Sequence, residues 1–363
     1  MLETMRRRVA ICGMLAALSG TSFASEALAQ TATPQIGEVE ATTRADINYM
    51  EATARRMEGS RLVEPDAATS TRVYGGRPAR QGEYPAQVGL HMAARISSDP
   101  ISLHASHFCG GSIIARQWIL TAAHCVTNGT GEPNPAQAMV VRTGSARIDS
   151  GDLREIEKVV VHEGWRPPNF NNDIALLKLT QPIQSSRGDV AAINIAPSGT
   201  RVAPGAAVAI GWGLTEQGNI PVDLLETNIE IVDNATCGRN IVNALKRDMA
   251  VVMRFAMTMT GADEDEMTQA FVRASQALRD PISDRMICAG IASGKQTTCK
   301  GDRGGPLMVK DANGRWLQVG VVSWGYVPLD KTGDPLCGSQ QTYALYVDLA
   351  DYFDWIAKHV RGS

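Results

Sequence analysis

The chain has 363 residues, 20% charged and 44% hydrophobic, with a net charge of −3, an ordinary globular composition with room for one large domain or two smaller ones. No basic stripe stands out, so nucleic acid is not an expected partner. Glycine is abundant at 34 and aromatics make up only 5%, which suits a turn-rich β protein.

The chain opens like a bacterial-type export signal. Arg6, Arg7 and Arg8 form a basic start, "VAICGMLAALSG" an apolar stretch too short to span a bilayer comfortably, and "ALAQ" a small-x-small site for a cut after Ala29. Residues 1–29 are therefore expected to be a signal peptide, and the mature protein to be secreted or periplasmic with no membrane segment. Residues 30–72 are polar, rich in Thr and Ala and free of cysteine, and read as a pro-segment or linker. Within them "TRADINYMEATARRMEG" places Ile47, Met50, Ala54 and Met57 at helical spacing.

At Val73 the character changes. From there to about residue 235, short β-type runs alternate with Gly, Pro and Asn turns: "GGSIIARQWILTAAHC", "DIALLKL", "AAVAIGWG" and "LLETNIEIV". The spacing predicts an antiparallel barrel or sandwich. Residues of about 238–285 break the pattern. Ile241, Leu245, Met249, Val252, Ala256 and Met259 recur at three- and four-residue steps, as do Met267, Phe271, Ala274 and Leu278 after the acidic start "ADEDE", so two helices are predicted as an insert in a β domain. The methionines read as packing residues that fill irregular gaps. The β pattern then returns in "WLQVGVVSWG" and "YALYVDL", and "DYFDWIAKHV" reads as a terminal helix. No internal repeat is visible.

Of seven cysteines, Cys12 leaves with the signal. The remaining Cys109, Cys125, Cys237, Cys288, Cys299 and Cys337 form an even set in an exported chain, which points to disulfides, with 15 pairings open on count alone. No CxxC spacing occurs, so no zinc site is expected, and nothing calls for a cofactor.

Nucleophilic catalysis by serine needs a hydroxyl, a base to take its proton, a buried carboxylate to hold the base, and backbone N–H groups aimed at the developing oxyanion. "WILTAAHCV" supplies His124 at the end of an apolar run, "NNDIALLKL" supplies Asp173 just ahead of another, and "GDRGGPL" supplies a tight glycine loop. Each is weak by itself, but the order and the flanks together are specific. From Val73 to the C-terminus the chain resembles the chymotrypsin/trypsin family of serine proteases, with "TAAHC", "DIALLKL", "GWG", "GDRGGPL" and "VVSWG" in family order. The resemblance implies an all-β domain over 73–363, built of two antiparallel six-stranded barrels with a cleft between them that takes a peptide or protein ligand, in a protein expected to be a monomer. It implies the bridges Cys109–Cys125, Cys237–Cys288 and Cys299–Cys337. It makes His124 and Asp173 catalytic, and gives Gly301, Asp302 and Arg303 the oxyanion loop. A specificity pocket of Thr297, Ser323, Trp324, Gly325 and Gln341 follows in the same way. Arg72 followed by "VYGG" resembles the family's activation site, where a cut frees the α-amino group of Val73 to pair with Asp302.

The departure is Arg303, which stands where the family carries its serine. A guanidinium stays protonated at any working pH and has no lone pair suited to acyl attack. The pocket departs too, since Thr297 replaces an acid at its base and Gln341 stands where glycine is common. The chain as written is therefore expected to be an inactive protease homologue that binds peptides or a protein partner. The alternative is an active serine endopeptidase whose native lineage carries the serine. Catalysis by some other nucleophile finds no suitably placed thiol or hydroxyl.

Overall fold

The structure is a computed structural model and describes residues 62–63, 76–97, 105–184, 189–214, 220–291, 298, 301–326 and 343–361. These separate into two compact units, Lys246–Arg279 and the remainder. The larger unit is two β-barrels.

The first barrel has β1 (Gln87–Met92), β2 (His107–Ala115), β3 (Trp118–Thr121), β4 (Met139–Thr143), β5 (Asp152–Val161) and β6 (Ala175–Leu179). They pair in the order β1-β2-β3-β6-β5-β4 and close on themselves. The second has β7 (Gly205–Gly211), β8 (Leu225–Val232), β9 (Met286–Gly290), β10 (Pro306–Lys310), β11 (Trp316–Tyr326) and β12 (Tyr343–Asp348). Its order is β7-β10-β11-β12-β9-β8, and the β7–β8 pairing closes it. All pairings within both barrels are antiparallel. Counted from its own first strand, each barrel has the same order, so the two halves repeat in winding although no repeat is legible in the residues. Closure leaves no bare sheet edge around either barrel. That constraint acts on pattern and turn length, not on residue identity. Val88, Leu90, Ile119 and Leu176 fill the first barrel, and Ala209, Leu307, Val319 and Tyr346 the second.

Short pairings add to this frame. Arg77–Pro78 joins the edge of β8, Asn194–Ile195 runs parallel to β11, and Leu62–Val63 pairs in parallel with Ile220–Pro221.

Four α-helices are described: α1 (Ala123–Val126), α2 (Asn234–Thr260), α3 (Glu264–Ala277) and α4 (Phe353–Arg361). Among the described residues no helix is long and apolar enough to cross a membrane. The second and third fall where helical spacing predicts them, between β8 and β9. Asp263 caps α3, its carboxylate accepting from the Glu266 backbone N–H at 2.9 Å, and Glu264, Asp265 and Glu266 follow in the first turn, where the helix dipole favours negative charge. Met253, Ala256 and Met267 form the small core of the Lys246–Arg279 unit, with Met249, Met257 and Phe271 against it. The predicted inner face needs correcting at two positions: Val252 is 46% exposed and Met259 56%. Three- and four-residue steps fit more than one stripe on a helix this rich in apolar side chains, and the buried stripe runs through Met253 and Ala256.

After β12 the chain returns to the first barrel. Leu349, Tyr352 and Ile356 join its core. Tyr352 donates its hydroxyl to Asn172 Oδ1 at 3.0 Å, and Arg285 donates to the same oxygen at 3.2 Å. The Asn172 amide donates to the Gly164 carbonyl at 3.0 Å. Asn172 has φ of 58°, a left-handed conformation that asparagine tolerates better than most residues and that β-branched residues resist strongly. The clamp holds that conformation one residue before Asp173. Asn172→Val is therefore expected to be less stable than Asn172→Gly by about 1–2 kcal/mol in urea denaturation, since both lose the clamp and only the first adds backbone strain.

Asp348, at the end of β12, has its carboxyl pushed up to about 6, chiefly by burial and further by the nearby Asp351 charge, against a hydrogen bond from the Ala350 backbone. Its proton is held more tightly in the folded chain than in the unfolded one. Stability is thus lost as pH rises from about 4 to about 6 and stays lost above that. Asp348→Asn keeps an acceptor for Ala350 and removes the titration. Relative to the variant, the wild type is expected to lose on the order of 1 kcal/mol between pH 4 and pH 7, after allowance for solvent screening, as measured by denaturation at each pH.

Candidate active site

The imidazole of His124 is held from three directions. The apolar strand β3 ends at Thr121 and feeds α1, which carries His124. The Cys109–Cys125 disulfide ties α1 to β2. Thr127 closes the helix by donating to the Ala123 carbonyl at 2.9 Å, and Trp165 donates to the Thr127 hydroxyl at 3.1 Å.

Asp173, fully buried, meets it from the other side. One carboxylate oxygen accepts from the His124 backbone N–H at 2.8 Å, and the other lies 2.7 Å from His124 Nδ1. Ser323 donates its hydroxyl to that second oxygen at 2.5 Å. Burial pushes the Asp173 carboxyl up, but the His124 charge and the hydrogen bonds from His124 and Ser323 outweigh it and hold the group below the usual carboxylate range. The carboxylate thus stays ionised with its acceptors filled, fixes the ring tautomer with the proton on Nδ1, and leaves Nε2 as the basic nitrogen.

Ser323 reaches Asp173 because β11 carries a bulge. Val322 faces Tyr346 of β12 while Trp324 faces Leu345, so Ser323 is the extra residue in the ladder. Bulges of this kind re-aim side chains beside active sites.

The turn 301–305 comes from the second barrel and is fastened to both. Gly110 of β2 donates to the Arg303 carbonyl at 2.7 Å, and Gly304 donates to the Val322 carbonyl at 2.9 Å. Gly304 has φ of 80°, and a Cβ there would stand 2.4 Å from both the Gly110 carbonyl oxygen and Thr121 Oγ1, so no side chain fits. The same position lies 3.3 Å from Cys125 Sγ, which is 3.6 Å from His124 Nε2. This chain of contacts brings the Arg303 turn up to the basic nitrogen. His107 Nε2 lies 3.2 Å from the Gly301 carbonyl oxygen. Asp302, 1% exposed, points the other way and accepts from the Gly213 backbone N–H at 2.8 Å. A Cβ on Gly213 would come within 2.4 Å of that carboxylate, so the "GWG" motif is a notch that receives it.

Beside His124 lies an aromatic surface. Phe170 packs its ring edge-on to His124 at 6.1 Å and stacks on Trp324 at 5.9 Å, and both are partly exposed. β10 pairs with β11 only as far as Val321, whereas β12 continues to Tyr326.

The structure brings together His124, Asp173, Ser323, Asp302 and Arg303, with Trp324 and Gly325 alongside and Gly301 in the turn. The Cys109–Cys125 and Cys237–Cys288 bridges are formed. Arg72, Val73, Thr297, Cys299, Cys337 and Gln341 lie outside the described residues. Cys109, His124 and Cys125 cluster tightly enough to suggest a metal site, but the two sulfurs are bonded to each other and offer no thiolate. Sequence reasoning missed Phe170, Asn172 and the Gly110 anchor. For Phe170 a signal existed, an aromatic three residues ahead of Asp173 in "NFNND".

Comparison with known proteins agrees with the two-barrel fold. The family model described as Trypsin matches residues 73–263 and 256–356. Transmembrane protease serine 11G of Mus musculus is 30% identical over 300 residues, covering 82% of this chain and 57% of that protein. Transmembrane protease serine 7 of Rattus norvegicus is 30% identical over 299 residues, covering 80% of this chain and 28% of its own length. The chain thus spans little more than half of the first relative and under a third of the second. With both barrels inside the match, the chain belongs to the trypsin family.

Proposed function

We propose that this chain is an exported trypsin-family protein that binds peptides in the inter-barrel cleft and, as written, does not cleave them. The observation that carries this reading is Arg303 on the turn fastened beside His124. The base and its carboxylate are assembled, but the residue offered to them is a cation that can neither give up a proton nor attack a carbonyl. The partly exposed Phe170–Trp324 surface beside His124 supplies apolar contact for an extended peptide. Proteolytic function of the relatives' kind would return with a serine at position 303. The intact His124–Asp173–Ser323 geometry favours that second reading for a lineage carrying the serine, since a pure binder has no use for an ionised, tautomer-fixing carboxylate.

Activation after Arg72 belongs to the same proposal. The freed Val73 ammonium would meet Asp302, whose buried carboxylate accepts from the Gly213 backbone N–H. A signal peptide over 1–29, a pro-segment over 30–72, a protease-like domain over 73–363 and a monomeric state complete the reading.

The test compares the chain as written with Arg303→Ser, both cut after Arg72, on a mixed peptide library with mass-spectrometric readout. No turnover is expected from the first and sequence-selective cleavage from the second. Adding Asp173→Asn to Arg303→Ser is expected to lower kcat by roughly 10⁴-fold, through the wrong imidazole tautomer. Equal turnover by the arginine and serine forms would defeat the proposal.

A further inference from the structure

We propose that the Lys246–Arg279 hairpin is the docking surface for the chain's own pro-segment, with the helix read in residues 44–60 laid along α2. The inference rests on the pro-segment reading above and goes beyond it.

Exposed apolar surface is spread unevenly over this molecule. Among the described residues five large apolar side chains are exposed, and four of them, Val251, Val252, Met259 and Val272, belong to this one hairpin. Val251 is 67% exposed. The small core of Met253, Ala256 and Met267 uses a different stripe of α2. Over residues 249–259, α2 is thus apolar on its open side as well as on its buried one, the pattern of a helix covered all round. Val252 and Met259 are seven residues apart, two turns, so they share one side of the helix about 10 Å from each other.

The pro-segment, which lies outside the described residues, has the matching pattern in its sequence. Ile47, Met50, Ala54 and Met57 stand at helical spacing, and Met50 and Met57 are likewise seven apart. Helices with apolar residues every seven positions pack along a single seam. Charge sets the direction. Over residues 246–260, α2 presents Lys246, Arg247 and Arg254 against one acid, Asp248, whereas the hairpin turn and the start of α3 present Asp263, Glu264, Asp265 and Glu266, all exposed. The pro-segment has the opposite order: Asp46 and Glu51 come first, and Arg55 and Arg56 follow. Laid parallel to α2, with Met50 at Val252 and Met57 at Met259, it brings Asp46 to Lys246 and Arg247, Glu51 to Arg254, and Arg55 and Arg56 to the acidic turn. Laid antiparallel, it sets Arg55 and Arg56 on Arg254 and carries its acids to the acidic turn, like charge on like. Glu58 and Arg61, further on, offset each other.

The segment runs directly into Leu62–Val63, which pair with Ile220–Pro221. Its encounter with the hairpin is therefore intramolecular, at an effective concentration on the order of millimolar, and needs little affinity of its own. A cut after Arg72 makes the encounter bimolecular. The insert is then a receptor whose face is covered before the cut and open after it.

The exported chain is tested by hydrogen exchange with mass-spectrometric readout, with thermal melting to check that the barrels fold. Amides of residues 246–279 are expected to exchange about tenfold more slowly in the wild type than in Met50→Glu/Met57→Glu. Arg55→Glu/Arg56→Glu should lose the same protection, and adding Glu264→Lys/Asp265→Lys should restore it, a rescue that loss of helix in the segment alone does not give. Equal exchange in the wild type and both pro-segment variants overturns the proposal. Protection that rises with protein concentration, together with a two-chain mass by light scattering, assigns the face to a second copy and overturns it as well. Cutting after Arg72 and removing the released segment is expected to raise exchange to the level of the variants. A chain that resists the cut but still loses protection in the variants upholds the docking and overturns the pro-segment reading instead.

Discussion

The turn 301–305 is the constraint on which the site depends. One residue, Arg303, gives its carbonyl to Gly110 of the first barrel, and the next, Gly304, gives its N–H to Val322 of the second. Two backbone hydrogen bonds on adjacent residues thus join two separately closed barrels. Everything chemical is arranged around that joint. His124 sits against it through Cys125, and Asp302 is turned into the notch behind it. Gly304 is the only residue type that fits, because any side chain would strike backbone and hydroxyl at once.

The electrostatics follow from the same arrangement. Two carboxylates are buried within the site, and each is oriented by donors fixed in the frame: ring and backbone of His124 with the Ser323 hydroxyl for Asp173, a backbone N–H for Asp302. Burying a charge is tolerable only with such partners. Both carboxylates are committed inward. Residue 303 itself is partly exposed, and the proposed loss of cutting turns on whether it is serine or arginine. The frame is the same for either, so the two readings of this protein differ by one side chain.

Much of this was legible in the residues. "TAAHC", "DIALLKL" and "GDRGGPL" mark a base, an acid and a turn by local chemistry and by order; the short apolar runs separated by turn residues left a barrel or a sandwich open, and the family resemblance implied two closed barrels. The two helices between β8 and β9 were legible from periodicity, but their buried stripe was not, because Val252, Met253, Ala256 and Met259 offer several overlapping stripes and only tertiary packing chooses one. The bulge at Ser323 was invisible for a related reason: a slip of one residue in a ladder leaves no mark in the strand's composition. The role of Asn172 was hidden because its partners, Arg285 and Tyr352, are more than a hundred residues away in the chain. Long-range satisfaction of one left-handed residue has no local signature.

The matched winding of the two barrels has a historical consequence. The first half carries base and acid as a self-contained pair, with only a serine hydroxyl borrowed from the second, while residue 303 belongs wholly to the second half. A change at 303 therefore does not unravel the pair, and selection acting on the pair does not reach 303. Change at residue 303 and retention of shape are separable events in such a molecule. A lineage can therefore change residue 303 while the pair and its frame stay as they are.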